Sequence, residues 1–122
     1  MRRLSNPSFS LISGDDPLTV PMISIGATGV ISVVANALPV HVSTMVRLAV
    51  EGYTKEASEI HHQLMPITQM MFEEGNPAGV KAALNCLGIG ENFSRLPIIH
   101  ASLDLHKRIE KELKRVLNAN LV

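Results

Sequence analysis

The side chains that could do chemistry are few. Asp15 and Asp16 stand together in an acidic turn, His61 and His62 are neighbours, and Cys86 is the single cysteine. An adjacent acidic pair invites metal binding or acid–base work, but neighbours in a turn seldom converge on one atom. Asp16 followed by Pro17 reads instead as a helix N-cap with proline at the first helical position. Successive helix residues point about 100° apart. His61 and His62 therefore lack the i, i+4 spacing of a helical zinc pair, and no carboxylate or cysteine completes a set. Cys86 has no histidine or basic partner nearby in sequence and reads as a small buried side chain. Lys81, beside Val80, reads as a solvated or hydrogen-bonded helix lysine. No metal site is expected.

The elements that would position these residues begin with Phe9 to Val34. Phe9–Ser13 and Val30–Val34 have the length and β-branched content of buried strands, with Gly14 and Gly29 marking turns. A strand, a short helix and a strand in that order predict parallel pairing in a sheet covered on both faces. A helix is predicted from Pro39 to Glu51, stopped by Gly52, with Val42, Met45, Val46 and Ala49 on its buried face. In the next helix Ala57, Ile60, Leu64, Ile67 and Met71 alternate steps of three and four. Thr54 is its candidate cap, Gly75 its stop, and Pro66 a source of kinking. Asn76-Pro77 repeats the cap-then-proline signal for a helix from Pro77 to Leu87 that turns Val80, Leu84 and Leu87 inward. Gly88 to Pro97 is a loop. The last helix begins near Ser102 and carries Leu105, Ile109, Leu113 and Val116 on one side, with a Glu110–Lys114 pair one turn apart.

Composition narrows the function. At 122 residues the chain suits one ordinary domain, and eleven basic against eleven acidic side chains leave no net charge. That argues against a nucleic-acid footprint or an anionic membrane partner. The stretch from Pro17 to Val46 holds no Asp, Glu, Lys or Arg, yet Pro21, Gly26, Gly29, Asn36 and Pro39 interrupt it too often for a membrane span. Arg2 and Arg3 have no apolar run behind them, so the opening residues do not read as a secretory leader. A single cysteine fits a reducing, cytoplasmic setting.

Four motifs point one way: Leu11-Ile-Ser-Gly-Asp-Asp16, Gly29-Val-Ile-Ser-Val-Val-Ala-Asn36, Asn76-Pro-Ala-Gly-Val-Lys-Ala-Ala-Leu84 and Arg95-Leu-Pro97. In this order and spacing they resemble the C-terminal part of the dihydrodipicolinate synthase (4-hydroxy-tetrahydrodipicolinate synthase) family. These are pyruvate-dependent lyases and aldolases related to N-acetylneuraminate lyase. The likeness runs from about Phe9 to Leu105 and leaves residues 1–8 unassigned.

The resemblance implies an α/β chain, mostly helical in isolation. It would be the closing quarter of a (β/α)8 barrel, two parallel strands within residues 9–51, followed by a C-terminal helical extension over residues 52–122. A whole barrel needs about 250 residues. The family reaction condenses pyruvate with aspartate semialdehyde in lysine biosynthesis through a Schiff-base lysine assisted by a tyrosine. An amine nucleophile must be held unprotonated, usually by desolvation. Lys55, Lys81, Lys107, Lys111 and Lys114 all fall on expected helices, and the one tyrosine, Tyr53, lies at a helix start. No catalytic residue is therefore expected here. Activity would need the N-terminal barrel portion as a partner, and no cofactor is implied. Two positions carry over as substrate-binding. Ile31 matches the isoleucine of the family's Gly-Val-Ile-Ser-Val wall against pyruvate, and Gly14 matches the glycine ending the preceding strand. A plain core isoleucine and a turn glycine are the bland readings of the same residues. Two alternatives stay open, a non-catalytic helical interaction module and a piece of an N-acetylneuraminate lyase-type aldolase. Unpaired strand edges also predict aggregation or a homo-oligomer.

Overall fold

The computed structural model describes residues 9–119 and divides the chain into two units, one running to His62 and one from Gln63. In the first unit, strand β1 (Ile12–Ser13) leads through a turn to helix α1 (Thr19–Ser24). Strand β2 (Gly29–Val30), a 3-10 turn (Val34–Asn36) and helix α2 (Pro39–Glu51) follow. β1 and β2 pair in parallel, Ile12 opposite Gly29 and Ser13 opposite Val30. α1 and α2 pack on each other, and α2 also packs on β2 and the 3-10 turn.

Both strands are shorter than Phe9–Ser13 and Val30–Val34. A ladder extends only where a neighbour meets it, and among the described residues each strand has a neighbour on one side alone. Past Val30 the chain leaves the sheet, because Ser32 and Val33 are drawn to the Asp16 carboxylate. The same contact overturns the capping role of Asp16. α1 starts at Thr19, its N-cap position is Leu18, and no side chain caps it.

α2 has the predicted bounds, and Gly52 ends it in the left-handed region at φ 90°. A side chain there would be strained, and glycine is not. His41 is buried beside Val42 and Met45, whereas Val46 and Ala49 are only partly covered.

Helix α3 (Thr54–Glu73) carries Pro66 internally and buries all five residues of its predicted stripe, Ala57, Ile60, Leu64, Ile67 and Met71. Thr54 is its first residue rather than its cap. The Thr54 hydroxyl donates to the Gly52 carbonyl at 3.4 Å.

In the second unit, helix α4 (Ala78–Cys86) packs against helix α5 (Leu103–Asn118). Asn76 does not cap α4: Pro77 occupies the N-cap position without a side-chain bond. The buried face is the small one, Ala78, Gly79, Val80, Ala82 and Ala83, while Leu84 and Leu87 are half-buried. α5 buries Leu105, Ile109, Leu113 and Val116 as its spacing predicts, and Lys114 donates to Glu110 at 2.6 Å.

Ser102 caps α5. Its hydroxyl accepts from the Leu105 amide at 3.2 Å and donates to Glu74 at 2.6 Å, while its own amide donates to the other Glu74 oxygen at 2.7 Å. These bonds hold the Glu74 carboxyl below the usual carboxylate range. Ser102→Ala should therefore lower stability by about 1 kcal/mol, read from the urea midpoint. No shift would mean that the amides of the first turn find water as good a partner.

Candidate functional site

The candidate site is the C-terminal edge of the two strands. Gly14 follows β1 directly and Ile31 follows β2 directly, so the parallel register carries them to the same edge. The Ile31 amide donates to the Ser13 carbonyl at 2.9 Å, which fixes its height beside Gly14. The Ile31 side chain is 77% exposed. A plain core isoleucine is thereby ruled out within this chain. At Gly14 a Cβ would meet nothing within 4 Å, so no packing among the described residues requires a glycine.

The turn after β1 is built from buried hydroxyls. Ser13 and Thr19 are fully buried. The Ser13 hydroxyl donates to the Asp15 carbonyl at 2.9 Å and accepts from the Asp15 amide at 3.2 Å. Thr19 donates to the same carbonyl at 3.1 Å. Buried polar groups must be paired, and this turn pairs them. Asp16 then reaches across to Ser32 and to the amides of Val33 and Val34, at 2.9 and 3.4 Å. The Ser32 hydroxyl in turn accepts from the Ala35 amide at 2.8 Å. One carboxylate thus ties the segment after Gly14 to the segment after Ile31. Sequence reasoning missed this clamp, although an Asp after one strand and a Ser after the next was its signal.

Elsewhere, the structure corrects the reading of Cys86 as partnerless. Its thiol lies 3.8 Å from Nε2 of His106, which in turn is 3.1 Å from the Asn85 side-chain oxygen. Burial, with Glu110 adding to it, pushes the thiol's pKa up, the opposite of an activated nucleophile. Lys81 donates to the Phe93 carbonyl at 2.6 Å and serves the loop after α4. All five lysines lie on helices, and Tyr53 is exposed just before α3. Among the described residues no three His, Cys, Asp or Glu side chains are grouped to hold a metal. None of the helices described is long and apolar enough to cross a membrane.

The His61 and His62 rings meet edge to face with centroids 5.7 Å apart. Burial, reinforced by the neighbouring His62, lowers the His61 pKa. The unfolded chain then takes up the proton first as pH falls. The contribution of His61 is intact above the ordinary histidine pKa of about 6.5 and declines as pH drops through and below it. The urea midpoint should be lower at about pH 5.5 than at about pH 7.5, and His61→Gln should flatten that slope. An unchanged slope would remove His61 as its source.

The family model described as the dihydrodipicolinate synthetase family matches residues 1–116. The chain belongs to the dihydrodipicolinate synthetase family. It is 43% identical to the 4-hydroxy-tetrahydrodipicolinate synthase of Phocaeicola vulgatus over 109 residues, which is 89% of this chain and 37% of the relative. The Aquifex aeolicus synthase is likewise 43% identical over 108 residues, 88% of this chain and 37% of its own. The crystal structure of dihydrodipicolinate synthase from Aquifex aeolicus superposes with a TM-score of 0.87 at 42% identity, covering 93% of this chain and 39% of that one. The Thermotoga maritima dihydrodipicolinate synthase gives 0.88 at 35% identity, covering 91% and 38%. The chain therefore spans a little over a third of the length of the dihydrodipicolinate synthetase relatives it matches. This chain has the two-strand edge with its Asp16 clamp and, among its own lysines, none on a strand.

Proposed function

We propose that this chain is the C-terminal portion of a 4-hydroxy-tetrahydrodipicolinate synthase-type lyase, which condenses pyruvate with aspartate semialdehyde through a Schiff base. The 43% identity to synthases, spread over 89% of the chain, carries the reading. On it, β1 and β2 are the seventh and eighth strands of a (β/α)8 barrel and α2 closes the ring. The helices beyond residue 52 form the appended extension. Barrel enzymes carry their sites at the C-terminal ends of the strands, which is the edge Gly14 and Ile31 occupy. Gly14 leaves room for the backbone to approach pyruvate, and Ile31 supplies an apolar wall. Such a wall keeps water from the amine and favours its unprotonated form. The lysine that bonds to pyruvate and the tyrosine that relays protons belong to the rest of the barrel, so the chain alone is inactive.

The test is covalent. Pyruvate and borohydride should leave the isolated chain at its own mass. A mixture with the remaining segment of a synthase should give a reduced adduct on that other polypeptide. An adduct on Lys55, Lys81, Lys107, Lys111 or Lys114 would defeat the assignment. A second reading, a non-catalytic interaction module, draws on Ile89, Phe93, Leu96, Ile99 and Leu103, all large, apolar and more than half exposed. Such residues favour a partner surface. A soluble chain whose partner contains no part of a synthase would support that reading instead.

A further inference from the structure

We infer that Cys86 and His106 form a two-ligand site for a soft monovalent metal ion, Cu(I). The site is built on α4 and α5 alone and does not depend on the functional reading above. Cys86 is the last residue of α4, and His106 stands in the first turn of α5, which packs against it. Both are half-buried, so neither is sealed from an ion in solution. The chain also decides which ring nitrogen is free. The Asn85 side-chain nitrogen donates to the Gly90 carbonyl at 3.0 Å, which fixes the orientation of that amide. Its oxygen lies 3.1 Å from Nε2 of His106 and can only accept, so in the neutral ring Nε2 carries the proton. Nδ1 keeps its lone pair, 4.0 Å from the Cys86 sulfur. Metal-binding histidines are held in this way, the other nitrogen donating to a fixed oxygen.

The separation suits one ion. Metal–sulfur and metal–imidazole bonds of about 2.3 and 2.0 Å place the donor atoms about 3.5 Å apart at a tetrahedral angle and about 4.3 Å apart in line. At 4.0 Å an ion bridges sulfur and Nδ1 without moving either helix. Copper and zinc are the metals that thiolate and imidazole both favour. Zinc takes four ligands, and among the described residues no third His, Cys, Asp or Glu side chain joins these two. Charge points the same way. Burial penalises a free Cys86 thiolate but not a neutral copper thiolate, whereas a divalent ion would leave a positive charge among half-buried groups. Glu110 acts on the thiol but is paired to Lys114 at 2.6 Å, so it does not balance a second positive charge. Binding exchanges a proton for the metal. The S–H bond breaks, the sulfur–copper bond forms, and the proton leaves to buffer while copper stays Cu(I).

The experiment titrates the full chain with Cu(I) from a competing chelator, oxygen-free and with ascorbate present. X-ray absorption at the copper edge identifies the ligands in the wild type. The expected result is one Cu(I) per chain, held by one sulfur and one imidazole nitrogen. Its Kd should rise about tenfold or more in Cys86→Ser and in His106→Gln. His100→Gln, at an exposed histidine, should leave the Kd unchanged. Far-UV circular dichroism checks that each variant keeps its helices, and the wild-type absorption spectrum decides alone where one does not. Binding indifferent to His106→Gln, or copper with no nitrogen neighbour, means that the thiol or the methionines hold the ion and overturns the site. So does zinc bound as tightly as Cu(I), or Cu(I) binding that Cys86→Ser retains in full.

Discussion

Gly79→Ala should destabilise the second unit by about 2 kcal/mol or more, although alanine is ordinarily the better helix former. A Cβ on Gly79 would stand 2.5 Å from both Cα and the carbonyl oxygen of Met71, and 2.7 Å from its carbonyl carbon. These are backbone atoms in the last turns of α3, and no rotamer change moves them aside. Met71 is itself fully buried, so α3 cannot shift without disturbing its own packing. The usual gain of glycine to alanine in a helix is about 1 kcal/mol, against an overpacking cost of about 3 kcal/mol. Urea denaturation followed by circular dichroism would measure the difference. Gly90→Ala is the control, since a Cβ there meets nothing within 4 Å, and its effect should stay within about 0.5 kcal/mol of zero. A neutral or stabilising Gly79→Ala would mean that the two helices do not touch at this point.

Gly79 also marks the limit of what periodicity can tell. The stripes of α3 and α5 were legible because large aliphatic residues recur on one side and charges on the other. In α4 the rule of turning the largest apolar residues inward chose Val80, Leu84 and Leu87; the fold buries Val80 but leaves both leucines half-buried and covers Ala78, Gly79, Ala82 and Ala83. Close approach of backbones favours the smallest side chains, and hydrophobicity does not rank that. Proline and acidic signals misled for a related reason. Asp16-Pro17 and Asn76-Pro77 have the local wording of helix starts, but α1 begins later and neither side chain caps. A side-chain oxygen accepts from whichever amide the fold brings near, and for Asp16 that amide lies across the sheet. The candidate edge was legible in part. The family resemblance, not the segment order, set Gly14 and Ile31 toward C-terminal strand ends, whereas the Asp16–Ser32 tie and the Cys86–His106 contact join residues 16 and 20 positions apart.

Asp16→Ala should cost about 3 kcal/mol in the first unit, and Asp16→Asn about half of that. The carboxylate serves the Ser32 hydroxyl and the amides of Val33 and Val34, the entry to the 3-10 turn. Alanine leaves these donors without an acceptor beside Val34, which is 1% exposed. Asparagine keeps one oxygen but replaces the other with a donor, which faces donors already present. The consequence reaches the candidate site, because Asp16 lies two residues past Gly14 and Ser32 directly follows Ile31. Loosening the tie frees both walls together. A double-mutant cycle of Asp16→Ala and Ser32→Ala isolates it, and a coupling of about 1 kcal/mol or more is expected. Strict additivity would show that carboxylate and hydroxyl act separately. In that case Gly14 and Ile31 would owe their common level to the β1–β2 ladder alone.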